Sequence, residues 1–119
     1  MNDVINMQAV NELVSLSDDG DPELLIDLIQ MYLEDGPLKL HEITEGLTHH
    51  DWDRMERAAH SLKGSAGHLG AHLVQEDCDK LQLASRSQEA AAAEAAVADL
   101  RGHFTDAEQA LQDILRSYS

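Results

Sequence analysis

Residues 88–118 read QEAAAAEAAVADLRGHFTDAEQALQDILRSY, and their pattern predicts one long amphipathic helix. Apolar side chains recur there at alternating intervals of three and four residues, which is the period of a single helix face. This stripe consists of Ala90, Ala93, Val97, Leu100, Phe104, Ala107, Leu111, Ile114 and Tyr118. We place the helix at residues 88–117, with Ser87 as its N-cap and Gly102 as a weak point that costs about 1 kcal/mol relative to Ala.

Two further helices are predicted by the same spacing in the middle of the chain. The first begins after Asp51 as N-cap, ends at Gly70, and has an apolar stripe of Trp52, Met55, Ala59, Leu62, Ala66 and Leu69. The second covers residues 71–86, and its inward positions are Val74, Cys78, Leu81 and either Ala84 or Ser85.

Upstream of residue 50 the pattern predicts one long helix and one short one. Asp21-Pro22-Glu23 is a typical helix start, because proline is favoured at the first helical position. The stripe that follows keeps its phase through Pro37, and it consists of Leu25, Ile29, Leu33, Gly36, Leu40, Ile43 and Leu47. We expect one helix kinked at Pro37, and two helices with a sharp break are the alternative. Met7, Val10 and Val14 predict a short leading helix.

These helices, joined by short loops, predict an all-α fold: an antiparallel four-helix bundle with a short additional N-terminal helix. No linker or repeat divides the chain, so we expect residues 1–119 to form a single domain.

The formal net charge of −15 opposes binding to nucleic acid or to an anionic membrane. One cysteine, no apolar run of membrane-spanning length and no signal-peptide pattern favour a cytoplasmic protein.

The segment around His60 is unusual for a bundle helix. His60 lies well away from the apolar stripe, so we expect it at the surface. Gly64 and Gly67 fall on the same side of the helix, where alanine would favour the helix more. Three of the eight basic residues lie nearby, namely Arg54, Arg57 and Lys63. An acidic chain thus keeps positive charge and open space beside one exposed histidine.

This combination suits phosphoryl transfer. A neutral imidazole, with an ordinary pKa of about 6.5, can attack phosphorus without a general base. It needs access for a large phosphoryl donor, which the glycines would give, and a nearby cation to offset the charge of the transferred group. Lys63 is the candidate for that cation.

Residues 59–71, AHSLKGSAGHLGA, resemble the signature of histidine-containing phosphotransfer (HPt) domains, the carriers of multistep two-component phosphorelays. The resemblance implies a four-helix bundle and a carrier that is not an enzyme in its own right. It implies receiver domains and a hybrid sensor kinase as partners, commonly a monomeric state, and no bound cofactor, with Mg²⁺ held by the receiver.

The resemblance also implies residue roles. His60 would accept the phosphoryl group on the ring nitrogen farther from the backbone, Lys63 would pair with that group, and Gly64 would give the partner clearance. Gln82 and Arg86 match polar positions that face the histidine from the next helix. Two further binding candidates are Arg57 and Gly67, and at Gly67 many members have asparagine instead.

Two other functions stay open on the sequence, a helical adaptor and a metal-binding bundle. The spacing of His68 and His72, and the neighbours His49 and His50, allow a fortuitous metal contact, but no third ligand has a fixed spacing to either pair, so we predict no metal site. Cys78 is expected in the core, and His41 and His103 at the surface. Apolar residues of the N-terminal segment, Met7, Val10, Leu13 or Val14, are candidates for a docking patch.

Overall fold

The computed structural model describes residues 4–16 and 20–118, and these contain five α-helices and no strand. The helices are α1 (Met7–Ser15), α2 (Glu23–Thr48), α3 (Trp52–His68), α4 (His72–Ser87) and α5 (Ala90–Ser117). Helix α3 packs against α2 and α4, while α5 closes the bundle by packing against α4 and α2. Helix α1 packs against α2. The predicted all-α bundle with a short N-terminal helix is confirmed.

Both predicted ends of α3 are confirmed. The Asp51 carboxylate accepts a hydrogen bond from the backbone N–H of Arg54 at 3.2 Å, as an N-cap does. Gly70 ends the turn after α3 with a φ of +74°, and a Cβ there would lie 2.5 Å from the carbonyl oxygen of Asn6. The N–H of Asn6 donates to the Gly70 carbonyl at 2.7 Å, so this glycine lets the chain before α1 dock against the α3–α4 turn.

Helix α2 continues through Pro37, so the single-helix expectation is confirmed. It begins one residue after the predicted proline start, and Asp21 accepts a hydrogen bond from the N–H of Glu23 at 3.0 Å. A Cβ on Gly36 would lie 2.9 Å from the Phe104 ring, which shows how closely α2 and α5 approach. Tyr32 stacks on the same ring with centroids 5.6 Å apart.

The predicted N-cap of α5 is wrong. Ser87 is the last residue of α4, and its hydroxyl donates to the Leu83 carbonyl at 2.7 Å. Gln88 then takes a left-handed φ of 53°, and the N–H of Glu89 closes α4 on the Ala84 carbonyl at 3.0 Å. Helix α5 therefore begins at Ala90 rather than at residue 88.

The core follows the predicted stripes, with a few departures. Cys78 is fully buried, as predicted, and burial raises the pKa of its thiol to about 12. Tyr118 is wrong as a core residue, because it lies at the end of α5 and is 44% exposed. Tyr32 is an unpredicted core residue: its side chain is buried, and its hydroxyl has no hydrogen-bond partner among residues 4–16 and 20–118.

The predicted N-terminal docking patch is only partly exposed. Val10 is buried at 1% exposure, and Leu13 and Val14 are half-buried against the core. Only Met7 presents a large exposed surface. The patch is wrong for Val10, because α1 turns that side chain inward against the bundle.

Within the described residues, no helix is both long and apolar enough to cross a membrane.

Candidate functional site

His60 projects from the middle of α3 with an exposed side chain, as predicted. Its anchor is Gln82 of α4, whose side-chain amide nitrogen lies 3.2 Å from Nδ1 of the imidazole. Gln82 itself is only 4% exposed, so it holds the ring from the bundle side. Within the described part of the chain no hydrogen bond or ion pair engages Nε2, so the nitrogen farther from the backbone is the accessible one.

The Gln82 side chain can form a hydrogen bond with either neutral tautomer of His60. When the amide N–H donates to Nδ1, the ring proton sits on Nε2. When the amide is turned by 180°, its oxygen accepts the proton of Nδ1–H, and the Nε2 lone pair becomes free. One buried side chain can therefore hold both forms of His60, including the form that is nucleophilic at Nε2.

Beside His60 lies an open depression of about 300 Å³, lined by His60, Lys63, Gly64, Gly67, His68 and Gln75. A Cβ placed on Gly64 would meet no atom within 4 Å, so packing does not explain this glycine. Gly67 differs, because a Cβ there would lie 2.9 Å from Nε2 of the Gln75 side chain. Gly64 thus leaves open space, whereas Gly67 makes room for Gln75 of α4.

Three contacts cross from α3 to α4 at successive turns, and we call them the polar ladder. They are Glu56 Oε1 to Arg86 Nε at 2.8 Å, His60 Nδ1 to Gln82 Nε2 at 3.2 Å, and Lys63 Nζ to Asp79 Oδ1 at 2.9 Å. His60 therefore stands between two ion pairs of opposite orientation. Sequence reasoning found the cations but missed the carboxylates, because their partners depend on the register of two helices.

The local excess of positive charge expected around His60 is wrong in detail. Arg54 forms an ion pair with Glu42 of α2, whereas His60 contacts Gln82 of α4, so the two side chains face different neighbouring helices. This hydrogen bond lowers the pKa of Glu42. Arg57 is exposed and pairs with Asp53 of its own helix at 3.1 Å. Each of these cations has a carboxylate partner, so the site is close to electrically balanced.

The remaining histidines do not converge on one point. No group of three or more His, Cys, Asp or Glu side chains could hold a metal ion within residues 4–16 and 20–118. His72 lies near the Gly70 carbonyl at 3.4 Å, His49 contacts Glu45 at 3.3 Å, and His50 stacks on Trp52. Each therefore has a local contact of its own.

His103 lies at the surface as predicted, with its side chain 33% exposed, but it makes a contact that the sequence did not predict. Its Nδ1 lies 2.5 Å from the carboxylate of Asp77, whose side chain is only 3% exposed. Burial raises the pKa of Asp77, and the hydrogen bond with His103 opposes that rise. This pair joins α4 to α5 on the far side of α4 from the ladder, so it contributes to the bundle rather than to the site.

Comparison with known proteins places this helical arrangement in a family. The sequence model of the Hpt domain matches residues 27–115, which include every member of the polar ladder. The chain belongs to the Hpt domain family. No curated protein matches its sequence.

Solved structures of similar shape carry the same Hpt fold. Histidine-containing phosphotransfer protein B from Pseudomonas aeruginosa has a TM-score of 0.88 at 20% identity, over 100% of both chains. A putative histidine-containing phosphotransfer protein from rice has a TM-score of 0.81 at 22% identity, over 96% of this chain and 81% of its own. The HPT domain of a Shewanella hybrid histidine kinase has a TM-score of 0.75 at 21% identity, over 94% and 97%.

Proposed function

We propose that His60 of this Hpt domain accepts a phosphoryl group from the aspartate of one receiver domain and passes it to the aspartate of another. Membership of the Hpt family supports phosphotransfer through histidine in a phosphorelay. The observation that carries the choice of His60 is its exposed ring, with Nδ1 against buried Gln82 and Nε2 without a partner in the described part of the chain.

The transfer step follows from this geometry. With Nδ1 protonated and Gln82 accepting that proton, the Nε2 lone pair attacks phosphorus, and an N–P bond forms as the P–O bond to the receiver aspartate breaks. The aspartate leaves as a carboxylate, and the proton stays on Nδ1. Lys63, one turn along α3, can then neutralise part of the phosphoryl charge. The onward transfer is the reverse reaction on a second receiver.

The surroundings of His60 support docking of a receiver rather than binding of a small molecule. Gly64 leaves open space, and the depression beside it is too open to enclose a ligand. Arg86 and Arg57 supply further cations at the edge of this surface, and each becomes available to a partner when its ion pair with a carboxylate breaks. Gly67 leaves room for the Gln75 side chain, and many members of the family have asparagine at this position.

An exposed apolar stripe on α2 extends this docking surface. Leu24, Met31 and Leu38 recur every seven residues, so they share one helix face, and they are 40%, 56% and 66% exposed. Met31 and His68 both line a second depression of about 160 Å³ between α2 and α3, and His68 lines the first depression too. The apolar stripe is thus continuous with the surface around His60, and we propose it in place of the N-terminal patch.

As a phosphocarrier, the protein would have no complete catalytic machinery of its own. Mg²⁺ and most of the charge stabilisation would come from the acidic pocket of the receiver, so the chain would need no bound cofactor.

A hybrid sensor kinase would supply the phosphoryl group through its receiver domain, and the carrier would act as a monomer. A cytoplasmic location fits the single buried cysteine, which suits a reducing compartment. No observation favours an adaptor or a metal-binding bundle.

The test is phosphoryl transfer from a phosphorylated receiver domain in the presence of Mg²⁺. We expect acid-labile, alkali-stable label on the wild type and on His68→Gln, the matched control in the same depression, but none on His60→Gln. Label on His60→Gln, or its loss from His68→Gln alone, would assign the reaction to another residue. A wild type that takes no label would contradict the proposed function.

A further inference from the structure

Lys63 already forms an ion pair in the unphosphorylated protein. Its ammonium group lies 2.9 Å from the Asp79 carboxylate across the α3–α4 interface, and the two side chains are 35% and 55% exposed. The ion pair occupies the turn that follows the His60–Gln82 contact. Any group on Nε2 that needs this ammonium must therefore compete with Asp79.

The charge balance of the ladder makes this competition significant. The two cations nearest to His60 across the ladder, Lys63 and Arg86, are matched by Asp79 and Glu56. A phosphoryl group on Nε2 adds at least one negative charge to a site that is already balanced. If Lys63 turns to the phosphoryl group, Asp79 loses its partner and stays nearby as a like charge, which costs free energy.

We propose that Asp79 is a positioning residue that competes with the phosphoryl group for Lys63, and so keeps the phosphohistidine less stable and favours onward transfer. This inference rests on the proposed function. In the forward step the N–P bond forms as the P–O bond to the receiver aspartate breaks, and in the reverse step these bonds exchange roles. Asp79 forms no bond in either step; it acts only through the ammonium group of Lys63.

The test compares phosphorylated fractions at equilibrium with a phosphorylated receiver and Mg²⁺. Asp79→Asn should raise the ratio of phosphorylated to free carrier by about threefold, the effect that a half-exposed ion pair supports. Asp79→Glu should restore the wild-type ratio, because it keeps the charge. The matched control is Asp113→Asn, which also breaks an exposed ion pair, at 2.5 Å to Arg116 near the end of α5.

A double-mutant cycle shows whether Asp79 acts through Lys63. In a Lys63→Ala background, Asp79→Asn should change the ratio by less than in the wild type. An equal effect in both backgrounds would overturn the inference, as would an unchanged ratio in Asp79→Asn or a rise of the same size in Asp113→Asn. Because the wild type is labelled in all of these outcomes, they leave the proposed function standing. Absence of label on the wild type would contradict both.

Discussion

Replacement of Gly64 separates the demands of folding from those of docking. Gly64 lies inside α3, and a Cβ there would meet no atom within 4 Å. Alanine should therefore stabilise the folded protein by the full difference in helix propensity, about 1 kcal/mol. For a chain of 119 residues this corresponds to a rise in Tm of about 4 °C. A glycine kept at this position against such a gain implies a function that needs the space.

Bulk at this position should therefore slow transfer without harming the fold. Gly64→Gln, which fills the space beside His60, should lower the rate of transfer from a phosphorylated receiver by about tenfold or more, because the added side chain would hold the receiver away from His60. The control is Gly102, which is also helical, exposed and free of neighbours at its Cβ position.

Thermal unfolding and single-turnover transfer measure the two effects. We expect Gly102→Ala to match the stability gain of Gly64→Ala, and Gly102→Gln to transfer at the wild-type rate. A loss of stability in Gly64→Ala would show that the space is not open. Transfer by Gly64→Gln at the wild-type rate would refute the clearance argument.

Three further predictions concern docking, the core and pH. Met31→Ser should raise the receiver concentration that gives half-maximal single-turnover transfer, with little change in the maximal rate, whereas Tyr118→Ser, at the end of α5, should leave both unchanged; equal effects on the two would contradict the α2 docking surface. Tyr32→Phe removes a buried hydroxyl that has no hydrogen-bond partner in the described part of the chain, so urea unfolding should show equal or higher stability, by up to about 1 kcal/mol, and a clear loss would reveal a partner for the hydroxyl. Burial raises the pKa of Asp77 above its value in the unfolded chain. Protonated Asp77 therefore makes its full contribution to the unfolding free energy below about pH 4, and this contribution is lost as the pH rises through the raised pKa. Asp77→Asn should accordingly show a smaller fall in unfolding free energy than the wild type between pH 4 and neutrality, and parallel pH profiles would contradict the raised pKa.

The helices could be predicted from the sequence because each apolar stripe is a property of one helix. The spacing of Met55, Ala59 and Leu62 fixes which face of α3 is buried, and the structure places all three in the core. Helix ends were less predictable. Ser87 has the chemistry of an N-cap, but it lies in the last turn of α4, and the left-handed Gln88 separates it from α5.

The candidate site divides in the same way. The shared surface of His60, Lys63 and Gly64 follows from helical spacing within α3, so the sequence was sufficient to bring them together. The contacts of Glu56 and Asp79 depend on the register between α3 and α4, which no periodicity within one helix contains. The burial of Asp77 against His103 was missed for the same reason, since its partner is on a different helix. The exposed apolar stripe on α2 was overlooked because the stronger buried stripe runs beside it.

The central claim is that Nε2 of His60 carries the phosphoryl group. Phosphorus NMR of the protein after reaction with a phosphorylated receiver tests it directly, because histidines phosphorylated on Nε2 and on Nδ1 give distinct resonances. We predict a single phosphohistidine resonance with the shift of the Nε2 form, which disappears in His60→Gln. A resonance of the Nδ1 form, or any phosphohistidine signal that survives in His60→Gln, would contradict the account.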